Sequence, residues 1–257
     1  MSVNESMQRD WDERARHDAF RYIASWREDW DVNSFLQSGE EDYQRLVEPV
    51  LSRRNWSPDD KVMLELGCGA GRMTDSFARR FQRVHALDVS GEMLRRGAAF
   101  LKERHNIEWM QGTGEDLAGV ADNSVDFVFS YLVLQHLPRE ILVLHYVQEI
   151  LRVLKDEGVF LFQFNGSHRP TMNWKGRLAW GVVDGLWELR LNQLSQAIAS
   201  WMGLDPRMGG KTWHGVSADA AAVVQTARAA GGAIWEVIDE STPMTWCCGM
   251  KKGQEGR

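Results

Sequence analysis

From residue 62 to residue 72 the chain reads Val-Met-Leu-Glu-Leu-Gly-Cys-Gly-Ala-Gly-Arg. An apolar run of strand length ends in glycines at 67, 69 and 71, and a helical pattern follows. Glycine permits positive φ and lets a ligand approach the main chain where a Cβ would stand in the way. A turn of this kind between a strand and a helix belongs at the carboxyl edge of a parallel sheet, where nucleotide-like ligands sit in doubly wound folds. Two common versions are excluded. The dinucleotide pattern G-x-G-x-x-G needs glycine at 72 or 74, which hold Arg72 and Thr74. A Walker loop needs Gly-Lys-Ser/Thr, which is absent as well. What stands is E-x-G-x-G-x-G, with the acid Glu65 inside the strand.

The flanking chain alternates strand-like and helix-like patterns. Residues 61–66 form the first expected strand and 72–81 the helix after the turn. Residues 84–88 form a second strand, ending in Asp88 about twenty positions beyond Gly67. An acid at that point in this architecture accepts hydrogen bonds from ribose hydroxyls. Ser90 is available to cap the next helix, leaving Asp88 for that role. Residues 107–110 read as a third strand and 124–131 as a fourth, followed by an amphipathic helix over 139–154. Residues 159–164 read as an apolar strand, as expected for the covered middle of a sheet. Residues 217–230 predict a helix capped by Ser217, and 234–238 with 244–250 the last two strands, paired like a hairpin. Ahead of the glycine turn, Trp11, Ala15, Ala19, Tyr22, Ile23, Trp26 and Trp30 fall at helical spacing and predict one or two helices over 7–37, with another over 40–55.

Glu65-Leu66-Gly67-Cys68-Gly69-Ala70-Gly71 resembles the first motif of class I S-adenosylmethionine (SAM) dependent methyltransferases. Gly112-Thr113-Gly114-Glu115-Asp116-Leu117 is similar to the third motif of that family, usually G-D/N-A-E-D-L, with Thr113 in place of the usual acid or amide. Ser124-Val125-Asp126-Phe127-Val128 resembles its fourth motif, and Glu149 to Gly158 its pattern after that motif. The resemblance is close over 61–164 and architectural elsewhere. It implies an α/β fold: a doubly wound, mostly parallel seven-stranded Rossmann-like sheet whose antiparallel last strand lies at the edge. An N-terminal helical lid and a helical insertion before the last helix complete it. The expected parts are a lid over 1–57, a SAM-binding core over 58–164, a cap or acceptor-site insertion over 165–215, and the remainder of the core over 216–257.

The resemblance also implies SAM as methyl donor, S-adenosylhomocysteine (SAH) as product, and in-line transfer to an O, N or C nucleophile of a small molecule. The cofactor-binding residues it implies are Glu65, Gly67, Cys68, Gly69 and Gly71 in the turn, Asp88, Val89 and Met93 after the second strand, and Gly114, Glu115, Asp116 and Leu117 after the third. Ser130 and Tyr131 stand where donor and acceptor meet. Arginine matches a carboxylate with two parallel hydrogen bonds, so Arg14 or Arg16, or the Tyr22 hydroxyl, is a partner for the SAM carboxylate. His136 and His214 are the candidate bases, because imidazole titrates near neutrality. His136 also reads as a helix-entry histidine held by a backbone partner.

Between 165 and 211 the simple alternation breaks, with Trp174, Trp180, Trp187 and Trp201 among Gly and Pro. A helix or helix pair over 175–202 forms a cap, a dimer contact or an ordinary packed addition. The indoles suit an apolar or aromatic acceptor, or a cation-π site for an amine. A net charge of −6 without a basic stripe argues against nucleic acid. No apolar run reaches membrane-spanning length. Cys68, Cys247 and Cys248 show neither disulfide nor zinc spacing, no metal site is legible, and a reducing cytoplasm is the simplest location. The first twelve residues are too polar for a secretory signal. Monomer and homodimer both remain open. The rival classes are a non-catalytic SAM-binding scaffold, another SAM-using transferase on the same fold, and a nicotinamide dehydrogenase, which the failed fingerprint disfavours.

Overall fold

A computed structural model describes residues 3–167, 174–189, 191–204 and 211–253. Parts of the expected insertion (168–173, 190 and 205–210) and the tail beyond 253 lie outside the described residues. Helices α1 (Val3–Ile23), α2 (Val32–Asp42) and α3 (Glu48–Ser52) come first, with a π-helical turn at Tyr43–Val47 joining the last two. Then follow β1 (Val62–Leu66), α4 (Thr74–Ala78), β2 (Arg83–Asp88), α5 (Gly91–Phe100), β3 (Ile107–Gln111) and β4 (Val125–Ser130). A single 3-10 turn at Leu134–His136 leads into α6 (Glu140–Val153) and β5 (Leu154–Phe164). The remainder is α7 (Trp174–Glu188), α8 (Asn192–Trp201), α9 (Lys211–His214), α10 (Ala220–Ala229), β6 (Gly232–Ile238) and β7 (Thr245–Lys251).

The seven strands form one sheet in the order β3-β2-β1-β4-β5-β7-β6. β1 pairs in parallel with both β2 and β4, so the chain winds outward through β3 and returns beside its start. The carboxyl ends of β1 and β4 therefore flank the switch point, where such folds open a crevice. Side chains alternate across the sheet. Leu64, Val128, Phe160 and Phe162 pack on one face with residues of α6 and α10, and Met63, Phe127, Phe129 and Leu161 on the other with Tyr43 and Phe77. Ala15 and Ala19 of α1 bring that helix close to Ala70 and Met93, over the glycine turn. No helix among the described residues is long and apolar enough to cross a membrane.

Several local expectations are corrected. The helical spacing of Trp26 and Trp30 does not make a helix, because residues 24–31 are irregular. Asp31 caps α2 by accepting from the Ser34 N–H, and the Trp30 indole donates to Ala24 O at 2.8 Å, fixing the break. α1 itself kinks at Asp18, whose carboxylate accepts from the Arg21 N–H at 3.1 Å. α4 is shorter than 72–81, since Gly71 holds φ +87° and the chain turns until Thr74. Asp219, not Ser217, caps α10, accepting from the Ala222 N–H. The last strand is antiparallel as expected but lies inside the sheet, between β5 and β6. β7 is buried along almost its whole length, whereas β6 is half-buried and carries exposed Glu236, so the less apolar strand takes the edge. Gln163 is the polar exception in the buried part of β5, and its amide holds the loop beside it, as described below.

Candidate functional site

The turn after β1 is tied to the end of β2. The N–H groups of Gly67 and Cys68 donate to Leu87 O at 2.7 and 3.0 Å. Gly67, Gly69 and Gly71 have φ of +77°, +54° and +87°. Asp88 grips the turn from the side: one carboxylate oxygen accepts from the Gly69 N–H at 2.9 Å, the other from the Ser90 N–H at 2.8 Å. A carboxylate has about four acceptor sites, so Asp88 retains capacity for further donors. Burial pushes its carboxyl up to about 6, and nearby Asp12 adds to the rise. Asp12 in turn accepts from the Ser90 hydroxyl and the Glu92 N–H, tying α1 to the start of α5.

Glu65 is more deeply buried and accepts from the Thr74 hydroxyl at 2.6 Å. Burial pushes its carboxyl up to about 8, although Thr74 and Arg72 favour ionisation. Two carboxyls lifted by desolvation at one glycine turn are the electrostatic complement of a cation that would relieve them.

A cavity of about 580 Å³ opens above this turn. Of the residues expected from the sequence, it is lined by Glu65, Gly67, Cys68 and Gly69, by Asp88, Val89, Met93 and Gly114, and by Tyr22, Tyr131, His136 and His214. Seven others lie outside the lining, among them Arg16, which is exposed and lies 3.8 Å from Asp12. A Cβ on Gly71 would meet Leu101 and Trp109 at 3.1 and 3.2 Å, so its freedom serves packing against α5 and β3. The Ser130 hydroxyl donates to Leu66 O at 3.1 Å, joining β4 to β1. Leu117 is a core side chain whose N–H donates to Glu149 at 3.0 Å. Asp116 accepts from the Thr113 hydroxyl at 2.7 Å, and Thr113 accepts from the N–H of Glu115, so the residue that departs from the family pattern organises the turn. Both acids act on Tyr146, a cavity residue on α6 whose phenol is held well above its usual range, by burial first and then by Asp116, Asp88 and Glu115. Arg14 is fully buried with its guanidinium 5.0–5.5 Å from the rings of Trp11, Tyr22, Trp187 and Trp213.

The far wall comes from the 3-10 turn and α9. His136 Nδ1 lies 2.9 Å from Trp213 O. A carbonyl only accepts, which puts the proton on Nδ1 and the lone pair on Nε2, 3.3 Å from the Gln135 amide. Gln163 donates to Gln135 at 3.1 Å and to Pro243 O at 2.7 Å while accepting from the Leu132 N–H, so one buried amide positions the whole turn. His214 Nε2 lies 3.5 Å from Asp184 of α7. Arg72 lines the cavity and is held by Asp42 at 2.7 Å and Ser38 O at 3.2 Å.

Arg72, Tyr146, Gln135, Asp12 and Asp184 escaped sequence reasoning. Gln163 carried a signal, as an amide within an apolar strand. The others look like ordinary surface or helix residues until the chain is packed.

A methyltransferase-domain family model matches residues 64–162. The demethylmenaquinone methyltransferase of Thermobifida fusca is 30% identical over 201 residues, covering 72% of this chain and 81% of the relative. The ubiquinone biosynthesis O-methyltransferase of Aeromonas salmonicida is 30% identical over 143 residues, 52% of this chain and 55% of that protein. Other curated relatives are matched over less of their length, 19%, 35% and 38% in three cases. In fold, the chain is similar to magnesium protoporphyrin IX methyltransferase from Synechocystis PCC 6803 with bound SAH, at a TM-score of 0.60 and 16% identity, over 96% of this chain and 100% of that one. With the glycine turn, its acidic partner and this sheet order, the chain belongs to the class I SAM-dependent methyltransferase family.

Proposed function

We propose that this protein transfers a methyl group from SAM to an O, N or C nucleophile of a small-molecule acceptor. The observation that carries the reading is the pair of carboxyls, buried Glu65 and half-buried Asp88, that flank a glycine turn opening into a cavity. The residues fit the donor. Asp88 has acceptor sites left for ribose hydroxyls, and Glu65 suits the α-ammonium. Val89, Met93 and Gly114 offer an apolar slot for a flat base, and the cavity has the size usual for a cofactor site. The bound donor supplies a methyl on a sulfonium whose leaving group is a neutral thioether, so no oxyanion stabilisation is required. The remaining task of the chain is to hold the acceptor in line and keep water out.

On this reading α1 is a lid, since Tyr22 and Ile23 line the cavity, and α7 to α9 form a cap, since Trp213 and His214 line it too. His136 and His214 are the polar groups available to an acceptor proton. A non-catalytic scaffold is disfavoured because Tyr131 and Trp213 line the cavity rather than plug it. The relatives differ in the acceptor they are named for, demethylmenaquinone in one and phosphoethanolamine in another, so the family leaves the acceptor open. The buried free thiols of Cys68, Cys247 and Cys248 support a cytoplasmic location as part of this proposal.

The test is native mass spectrometry of the purified protein, followed by titration with SAM. A retained or added mass of SAM or SAH is expected, with methyl gain on a panel of small phenols, amines and acids. No adduct, with calorimetry silent at millimolar SAM, would overturn the reading. Binding without methyl gain would favour the scaffold, and transfer of a different group another SAM-using transferase.

A further inference from the structure

We propose, on the methyl-transfer reading above, that Arg72 is a carboxylate-binding group of this cavity, its guanidinium fork held ready for the α-carboxylate of the donor or for a carboxylate carried by the acceptor. Arg72 stands in the turn before α4, is 4% exposed and lines the cavity. Its two protein partners, Ser38 O at 3.2 Å and Asp42 at 2.7 Å, both accept from Nη1. The Nε and Nη2 groups donate to no described residue, and neither is among the enclosed polar atoms that lack a partner, so they face the cavity. Nε and Nη2 form one edge of the guanidinium, and that edge can give a carboxylate two parallel hydrogen bonds. Open donors on a buried charge are costly unless a ligand or water completes them. The rings of Trp26 and Tyr131 lie 5.3 and 5.8 Å from the guanidinium carbon, and both residues line the cavity as well. Ser38 and Asp42 belong to α2, so the fork is fixed in place before a ligand arrives.

The charge balance favours an anion. Asp42 also accepts from Arg45, so two guanidiniums share one carboxylate and a positive charge is left over. Glu65 is a second acid near Arg72, which favours its ionised form. Burial opposes that ionisation and holds the carboxyl at about 8, so in the free protein Glu65 does not offset the surplus near neutrality. The two arginines that the sequence offered for a carboxylate are placed elsewhere. Arg14 is enclosed by four rings, and Arg16 is exposed beside Asp12. Among the described residues Arg72 is the one arginine or lysine in the cavity lining. Glu65 and Arg72 together suit an α-amino acid end, whose ammonium and carboxylate sit on one carbon. An acidic acceptor would engage Arg72 alone.

The test compares wild type with Arg72→Gln and Arg72→Lys, and each carboxylate ligand with its amide. Calorimetry measures SAH against its α-carboxamide. The SAH complex is then titrated with para-hydroxybenzoate, succinate and glycine, each against its amide. The Arg72 Nε–H signal, assigned by its loss in Arg72→Lys, is followed by nitrogen NMR. If the donor supplies the carboxylate, wild type should bind SAH about 10- to 100-fold tighter than the carboxamide, the scale of hydrogen bonds to a charged group. Arg72→Gln should then bind the two alike, and Arg72→Lys should restore only part of the preference. The Nε–H signal should shift with SAH and not with the carboxamide. If the acceptor supplies it, the same pattern should appear between an acid and its amide on the SAH complex, while Arg72→Gln leaves the preference for SAH over its carboxamide unchanged. Should Arg72→Gln fail to fold, the wild-type preferences and the Nε–H shift carry the test. Equal binding of acid and amide by wild type in both arms, preferences that Arg72→Gln leaves intact in both, or an Nε–H signal that no carboxylate moves, would overturn the inference. Failure of wild type to bind SAM or SAH would instead overturn the methyl-transfer reading itself.

Discussion

Asp88 holds the glycine turn with one carboxylate oxygen and the start of α5 with the other, so removing it loosens both. Asp88→Ala should weaken SAM binding by ~1–3 kcal/mol, the range for polar groups left without a partner, and lower Tm in the free protein. Calorimetry and a thermal melt read the two effects, and unchanged affinity would rule out a ribose role. Gly69 is constrained differently from what the motif suggests: its φ is +54°, and an added Cβ would come 2.7 Å from Ile23 of α1. Bulk there strikes the proposed lid before it strikes a ligand. Glu65 and Asp88 also set a pH dependence. Their folded carboxyls stand at about 8 and about 6, above the ordinary values of 4.5 and 3.8, so the unfolded chain gives up these protons first. Their contribution to stability is complete below about pH 4 and is lost as pH rises through about 6 and about 8. Melts across that window should show Tm falling with pH, and Glu65→Gln should flatten the upper part of the fall. A cationic ligand reverses the preference. SAM binding near pH 7 should release protons, seen as a calorimetric enthalpy that varies with the buffer.

At the scale of elements, the far wall depends on how α9 docks on the 3-10 turn before α6. Gly215 has φ +50°, and a Cβ there would overlap the Gln135 carbonyl, which also accepts from the Val216 N–H at 3.1 Å. Gly215→Ala should therefore push α9 off the turn and break the bond from His136 to Trp213 O. Overpacking of this kind costs about 1–3 kcal/mol, measurable by urea unfolding, with the His136 ring signals reporting the lost bond. Gly39 plays the same part for α2, where a Cβ would overlap the Arg72 carbonyl and lift that helix from the glycine turn. Neither glycine stood out in the sequence, because each is required by a segment remote in the chain. The strands and their order of motifs were legible, since alternation and glycine turns are local signals. The break at 24–31 was not, because Asp31 as a cap outweighs the helical spacing of two indoles.

For the whole molecule, the cavity is closed by pieces from both ends of the chain. Met7, Trp11 and Tyr22 come from α1, Tyr146 from α6, and Trp213 and Met244 from beyond α8. The Trp11 and Trp213 rings lie 6.2 Å apart and those of Tyr22 and Trp213 5.7 Å apart, so α1 and α9 meet beside the cavity. A ligand bound beneath them should slow amide exchange in α1 and α9 more than in β5. Hydrogen exchange with and without SAH checks this, and equal protection everywhere would argue against a lid. At a ligand concentration of 100 times Kd the stabilisation should be about 2.7 kcal/mol, seen as a raised Tm.

The sequence by itself determined the strand, the glycine turn and the acid at the end of the second strand. These follow from backbone freedom and side-chain alternation over a few neighbouring residues. It also determined that the turn cannot be a dinucleotide or Walker loop. Tertiary structure alone decided that Arg14 fills an aromatic box, that Asp184 stands behind His214, and that the antiparallel last strand lies inside the sheet. Residues 14, 184 and 214 share no local pattern. They meet only because burying the apolar faces of α1, α7 and α9 brings distant segments into contact, and no spacing within one segment encodes that.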